Sequence, residues 1–388
     1  MVDYLKSKLR KLPLGPGATI FLPGSSRAFG PPRRYGFIRD VVPAEGGTVI
    51  ETEPAETVAR PQPALYGNFT APALNNFNEA KPATCVFTLP GARLMGPEGF
   101  VVSPRDRFVY DASFWSRIYP VPIAKNPPYN RRRSRPIRRL PGTCVSLATD
   151  FSAGSYGHFI HDGLLRWHLL KKAGVDLAAA DWIYLPRLNT PATEAVCSLL
   201  PLPRERILNF PGTHDYEADR VIGTSFPGAV GTVAPAGAVF LQSLAAHLRQ
   251  PAAKRTRVYL SRRGYSRNPV NLDEIEAILR AHGFIILDPS AGIETLAACA
   301  QAEIVAGIDG SNMASLAFAP AGARVIVIYP ADVPPQPYHT TMAVSGGRSL
   351  HIIMGEPSSS GGGTNAYHSD FYLPPALLHA CLKAALGG

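Results

Sequence analysis

The chain has 388 residues, 46% apolar and 18% charged, a composition that excludes a disordered or low-complexity polypeptide. One ordinary core does not organise a chain this long, and two domains of about 150–200 residues are expected. A formal net charge of +10 suits an anionic partner (a phosphorylated ligand, an acidic polysaccharide, a nucleic acid or a membrane surface) without choosing among them.

Five cysteines, Cys85, Cys144, Cys197, Cys299 and Cys381, are scattered without a CxxC pair. Their spacing matches neither a zinc framework nor a disulfide scaffold, and buried free thiols in a reducing compartment are expected. No apolar run reaches the length of a membrane span, and the start MVDYLKSKLRKLPLGPG lacks the apolar centre of a signal peptide, so a cytoplasmic location is expected. The same start can be written as a short basic amphipathic helix, with Leu5 and Leu9 on one face and Lys6, Lys8, Arg10 and Lys11 around it, resting on anionic lipid. A frayed terminus is the plain alternative.

In chain order, residues 1–145 show short β-like runs between Pro and Gly, such as GGTVIETEP and GFVVSPRDRFVYD, a strand-and-turn rhythm. The basic stretch NRRRSRPIRRLPG, Asn130 to Gly142, reads as a solvated loop or as a patch facing an acidic acceptor or membrane. Without interleaved aromatics or a recognition helix it does not read as a nucleic-acid site. From Ser155 the texture alternates between helix and strand. HFIHDGLLRWHLLKKAG predicts a helix ending at Gly174, DWIYLP a strand, and TPATEAVCSLL a helix capped by Thr190 with Pro191 at its first position. RILNFP and DRVIGTSF are strands, and APAGAVFLQSLAAHLRQ is a helix. Then come strand RVYLSRR, helix NLDEIEAILRAHG (cap Asn271, Glu274 three residues on, Gly283 at the end), strand FIILDP, helix GIETLAACAQAE and strand IVAGI. The turn and helix DGSNMASLAFAPAG, the strand RVIVIYP, a flexible SSSGGGTNA loop and the helix PPALLHACLKAAL complete the chain. Such alternation means parallel strands with crossover helices. Two α/β blocks, the second from about Val233, suggest two doubly wound domains facing a cleft.

Three constellations carry possible chemistry. In SYGHFIHDGLLRW, His158, Asp162 and Arg166 are four apart, so a regular helix puts them on one face. Arg166 would then favour the charge of Asp162, and a carboxylate facing a cleft can accept a proton from an attacking hydroxyl. A salt-bridged helix face with no chemistry satisfies the same spacing. His158, His161 and Asp162 can also be read as metal ligands, although no further ligand is marked. In RVYLSRRGYSRNPVN, Arg257, Arg262, Arg263 and Arg267 surround a strand end, where α/β sheets bind ligands and guanidinium groups match phosphate oxygens. A basic surface loop is the alternative. In GIDGSNMAS, Gly307 and Gly310 flank Asp309 before a helix whose first N–H groups can cradle phosphate, with Ser311 and Asn312 as further donors. This is neither GxGxxG nor a P-loop, and a tight strand-to-helix turn is the alternative.

These pieces in this order, YGHFIHDGLLR, then RVYLSRR through NLDEIEAILRAHGFIILDP, then GIETLAACAQAEIVAGIDGSNMASLAFAPAGARVIVIYP, resemble glycosyltransferase family 61 over about Ser155 to Pro330. His158, Asp162 and Arg166 fall on its first motif. Arg257, Tyr259, Arg262 and Arg267 fall on its second, with Asn271 and Glu274 opening the next helix. Gly307 and Gly310 fall on its last loop. The family's loop histidine is Asp309 here, its Glu-Gln pair is Glu294-Thr295, and an asparagine of the loop helix is Ser315, with Asn312 nearby.

The resemblance implies a GT-B-like α/β fold: two Rossmann-like domains facing a central cleft, with a Pro-rich, β-containing N-terminal region. The acceptor side would span residues 1–232 (1–145 Pro-rich, 150–232 α/β), and the nucleotide-sugar side 233–388. It implies inverting transfer from a UDP-linked sugar with no metal or other cofactor, to a glycan or lipid-linked oligosaccharide of bacterial capsule or exopolysaccharide, at the inner membrane face. Asp162 is the expected base and His158 the alternative, with Arg166 in support. Arg262 and Arg267, with Arg257, Glu294, Asp309, Gly310, Ser311 and Asn312, would hold the diphosphate and nucleotide. Peripheral membrane contact through the N-terminus or Arg131–Arg139 is expected, and no nucleic acid. Two rivals are a metal-dependent hydrolase or deacetylase on His158, His161 and Asp162, and a non-catalytic glycan- or nucleotide-binding protein whose donor site is lost through Asp309.

Overall fold

A computed structural model describes residues 34–387 except 70–76, 79, 114–134, 150, 229–230, 250–254, 289–290, 332, 334 and 359–368. The basic N-terminus, residues 131–134 of the arginine-rich stretch and most of the SSSGGGTNA loop therefore lie outside the described residues.

The protein is a mixed α/β structure with two main sheets. The second sheet is wholly parallel. From one edge it runs Phe284–Leu287, Thr256–Leu260, Ala302–Ile308, Arg324–Tyr329, Ser349–Met354 and Ala64–Tyr66. Its strands are apolar runs such as RVIVIY, with Val325 to Tyr329 all buried, as strands covered on both faces must be. Crossover helices Leu272–Ala281 and Gly292–Ala300 are where the sequence puts them. Gly283 ends the first with φ +77°, the left-handed conformation that glycine adopts without a Cβ penalty. Asn271 does not cap it. Its amide instead donates to Glu274 and to the Leu373 carbonyl, and its Oδ1 accepts from the Leu373 N–H, tying the helix start to the segment before the C-terminal helix Pro375–Leu386.

The first sheet departs from the expected doubly wound block. Ile137–Ser146, Trp182–Tyr184, Ile207–Leu208 and Asp215–Thr224 are parallel. The other edge of Asp215–Thr224 pairs antiparallel with Thr84–Pro90 and Arg93–Met95. The Pro-rich region is thus a continuation of this sheet, and its strand Ala64–Tyr66 completes the other one. The arginine-rich stretch is also not a loop throughout. Residues from Ile137 on form a central strand, Arg135 pairs with Asp215, and Arg139 with Glu217 and Asp219.

One apolar core joins the two sheets. Phe159, Leu164 and Leu165 from the SYGHFIHDGLLRW segment share it with Met313, Leu316 and Phe318 beyond the glycine turn, and with Met342 from Pro337–Ser345. All are at most 3% exposed, so the segments that carry the motifs are packed against one another. All five cysteines are buried free thiols. Among the described residues no helix is long and apolar enough to cross a membrane.

Candidate active site

A cavity of about 460 Å³ opens where the carboxyl ends of several parallel strands converge. Its walls come from both sheets. Phe151, Ser155, Gly157, His158 and His161 follow strand Ile137–Ser146. Arg267 follows Thr256–Leu260, Asp309, Gly310 and Ser311 follow Ala302–Ile308, and Gln336, Tyr338 and His339 follow Arg324–Tyr329. Ligands of parallel α/β sheets bind beyond the carboxyl ends of strands, and this cavity has that location.

The histidine-rich segment begins as a helix at Tyr156, capped by Ser155, and continues as a π-helix over Phe159–Leu164 before the α-helix Leu165–Lys172. The pairing expected of the first half of the motif is present: His158 Nδ1 lies 2.6 Å from Asp162 Oδ2. The second half fails. The wider π turn puts one extra residue into the coil and carries Arg166 off the shared face. Arg166 is 2% exposed and donates at 2.8 Å to the Thr224 and Ala112 carbonyls, not to Asp162, with its guanidinium 4.7 Å above the Phe226 ring. It is a clamp between strand and helix ends. His158 lines the cavity, whereas Asp162 is buried behind it. The Tyr338 hydroxyl lies 3.3 Å from His158 Nδ1 and donates to Asp162 Oδ2 at 3.4 Å.

His158, His161 and Asp162 do not form a metal site. Among the described residues no group of three or more His, Cys, Asp or Glu is placed to hold an ion. His161 turns instead against Tyr338, rings stacked at 5.1 Å and 21°, and meets His339 edge to face at 5.4 Å. Burial, with the nearby His339 and His158, pushes the His161 pKa well below the ordinary histidine value. His339 is pushed down too, by burial and by Arg267 and Arg262, against an upward pull from Asp309.

The arginines separate into three groups. Arg267 lines the cavity and takes φ +64°, uncommon for a residue with a Cβ and typical of functional turns. Asn268 holds that turn, its amide on the Arg262 and Tyr265 carbonyls and its N–H on Asp370. Arg262 lies one layer back, donating to the Ser266 carbonyl and packed under Gly310. A Cβ at Gly310 would lie 2.7 Å from the Arg262 guanidinium carbon, so glycine is what lets this cation approach the turn. Arg257 is not at the site. It is the second residue of its strand, at the end away from the cavity, and is held by Glu303 at 2.6 Å and the His282 carbonyl. Tyr259, from the same motif, is a fully buried core residue.

In the last loop, Asp309 is 1% exposed and flanked by Arg267 at 3.4 Å and His339 Nε2 at 3.5 Å. The anion in place of a histidine therefore meets a local cation and a proton carrier. Ser311 lines the cavity and touches Ser155 Oγ at 3.2 Å. The helix that follows, Ser311–Phe318, is 3₁₀. Asn312 points the other way, its amide tied to the Leu260 and Ser261 carbonyls. The Ser315 and Tyr156 hydroxyls lie 3.0 Å apart in a hydrogen bond, which docks the histidine segment on the glycine turn. Glu294 is exposed on the first turn of its helix, outside the cavity lining.

Sequence reasoning missed Gln336, Tyr338 and His339. They stand in VPPQPYHT, where Pro337 at the first position of a helix was the available signal. No curated protein matches the chain. Residues 156–326, which hold the His158–Asp162 pair, Arg262, Arg267 and the Asp309–Asn312 loop, match the model of the family described as Glycosyltransferase 61, and this match supports that family and, with it, a glycosyltransferase.

Proposed function

We propose that the protein is an inverting glycosyltransferase, moving a sugar from a nucleoside-diphosphate donor to a hydroxyl of a glycan acceptor. One observation carries this reading: a single cavity brings a His–Asp pair from one sheet to face an arginine and a glycine turn from the other. His158 accepts the acceptor's hydroxyl proton on Nε2, the ring nitrogen that Asp162 does not hold. The oxygen bonds to the anomeric carbon, and the carbon–oxygen bond to the donor phosphate breaks on the opposite face. The diphosphate leaves with the electron pair. Asp162 fixes the imidazole and offsets its new charge. Arg267, the Ser311 hydroxyl and the backbone N–H groups after Gly310 meet the charge on the leaving group. The base is therefore His158, with Asp162 as its positioning residue, because His158 is the one at the cavity wall.

A cavity at the carboxyl ends of parallel strands from two sheets, one wholly parallel and one mixed, supports a GT-B-type arrangement. The resemblance supports a UDP-linked donor, no metal cofactor and a role in bacterial surface polysaccharide synthesis on the cytoplasmic side. The +10 charge supports an anionic or membrane-bound, lipid-linked acceptor. A thermal-shift series with nucleoside diphosphates and nucleotide sugars, with and without EDTA, tests the reading. A ligand that binds only the folded protein raises Tm, by about 2.7 kcal/mol of stability at a hundredfold excess over Kd. One nucleotide family should do so in either buffer, and Arg267→Ala should remove the shift. No shift with any nucleotide contradicts the donor assignment.

A further inference from the structure

The cavity has a wall that the chemistry above leaves unused: His161, Tyr338 and His339. Two of these residues lie beyond the matched segment, and none was needed for proton transfer or for the diphosphate. His161 Nε2 and His339 Nδ1 are buried without a hydrogen-bond partner, and both side chains are more than nine-tenths buried. An orphaned buried polar atom costs about 1–3 kcal/mol, a cost that a ligand group bonding to it would recover. The Tyr338 ring covers His161, and its hydroxyl reaches the His158–Asp162 pair. The wall is thus continuous with the proposed base.

We infer that this wall is the subsite for the transferred sugar and that it selects an uncharged sugar over a uronic acid. The inference rests on the donor reading above and deepens it. A neutral imidazole offers one N–H and one lone pair. A sugar hydroxyl, both donor and acceptor, suits either nitrogen in either tautomer. A carboxylate only accepts, and here it finds no added positive charge. Burial, Arg267 and Arg262 push His339 down against the pull of Asp309, and burial pushes His161 down, so the neutral imidazole is favoured at both. Arg267, paired with Asp309, is the cation that the donor reading commits to the diphosphate, and the Asp309 carboxylate lies beside the same wall, 3.5 Å from His339. A uronate would bring a second carboxylate beside the buried Asp309 anion, and like charges close together disfavour each other.

The experiment is calorimetric titration of the full chain with free UDP, GDP and dTDP, their hexose conjugates and UDP-glucuronate, for wild type, His161→Phe and His339→Asn. His161→Phe keeps the ring and its stacking but removes the nitrogens. Wild type should bind a neutral nucleotide sugar at least about tenfold more tightly than the glucuronate. Each variant should lose about 5–30-fold for the neutral nucleotide sugar, from one hydrogen bond of about 1–2 kcal/mol, and keep its affinity for the free diphosphate within about twofold. Equal wild-type affinity for neutral and charged sugars overturns the inference without needing a variant to fold. Parallel loss of free diphosphate and nucleotide sugar in folded variants also overturns it, since the wall would then be structural. Wild type that binds no nucleotide overturns the donor reading and the subsite together.

Discussion

Replacing His161 by Phe should make the protein less sensitive to acid. In the folded state burial holds the His161 pKa well below its ordinary value of 6.5, so the unfolded chain takes up a proton that the folded one refuses. Stability from this site is intact above about pH 7.5 and is lost as pH falls through 6.5 towards the folded-state value. With an unfolded pKa of about 6.5, the unfolded state gains about 0.1 kcal/mol at pH 7.5 and about 1.4 kcal/mol at pH 5.5. Wild type should therefore lose up to about 1.4 kcal/mol more than His161→Phe between these two pH values. His351, also pushed down and not in contact with His161, adds acid sensitivity of the same sign to both proteins and cancels in the comparison. Urea unfolding followed by fluorescence, with the m-value checked to be common to both proteins, gives the difference directly. Equal loss in the two proteins would refute the reasoning, because His161 would then be protonated as readily folded as unfolded.

Asp309→Asn should tighten binding of free nucleoside diphosphate several-fold in titration, because Arg267 is released from its carboxylate. It should also lower stability by about 3 kcal/mol, since a buried cation loses its partner. Arg257→Ala should leave nucleotide affinity unchanged and cost about 1 kcal/mol in urea unfolding, as its ion pair with Glu303 is partly exposed. Gly310→Ala should fold yet bind diphosphate at least about tenfold more weakly, because the new Cβ displaces Arg262 from the turn.

Much of the fold was written in local patterns. Apolar runs bounded by Gly and Pro marked the second sheet, and Thr190 with Pro191 marked a helix start that does form, with the Thr190 side chain accepting from the Thr193 N–H. What stayed hidden is non-local. Nothing in ALY announces that Ala64–Tyr66 crosses to the second sheet, since strand pairing is decided by tertiary contact. The arginine-rich stretch looked solvated because its carboxylate partners, Asp215, Glu217 and Asp219, lie about eighty residues on. At the site, i,i+4 spacing found the His158–Asp162 pair but misjudged Arg166, because one turn of π-helix alters the angular sum. Counting arginines around a strand could not tell the end that faces the cavity, with Arg267, from the end that does not, with Arg257. Tyr338 and His339 were invisible because their partners, His158, His161 and Asp309, stand 30 to 180 residues away in the chain.

The central claim is that His158 removes the acceptor proton while other residues hold the donor. Its most direct measurement is kcat for nucleoside-diphosphate release by wild type and His158→Ala, with donor Kd taken on the same preparations. A rate lower by about 10²–10⁴ at unchanged donor affinity is the expected result. A variant that turns over at the wild-type rate, or one whose donor affinity collapses with its rate, would contradict the assignment.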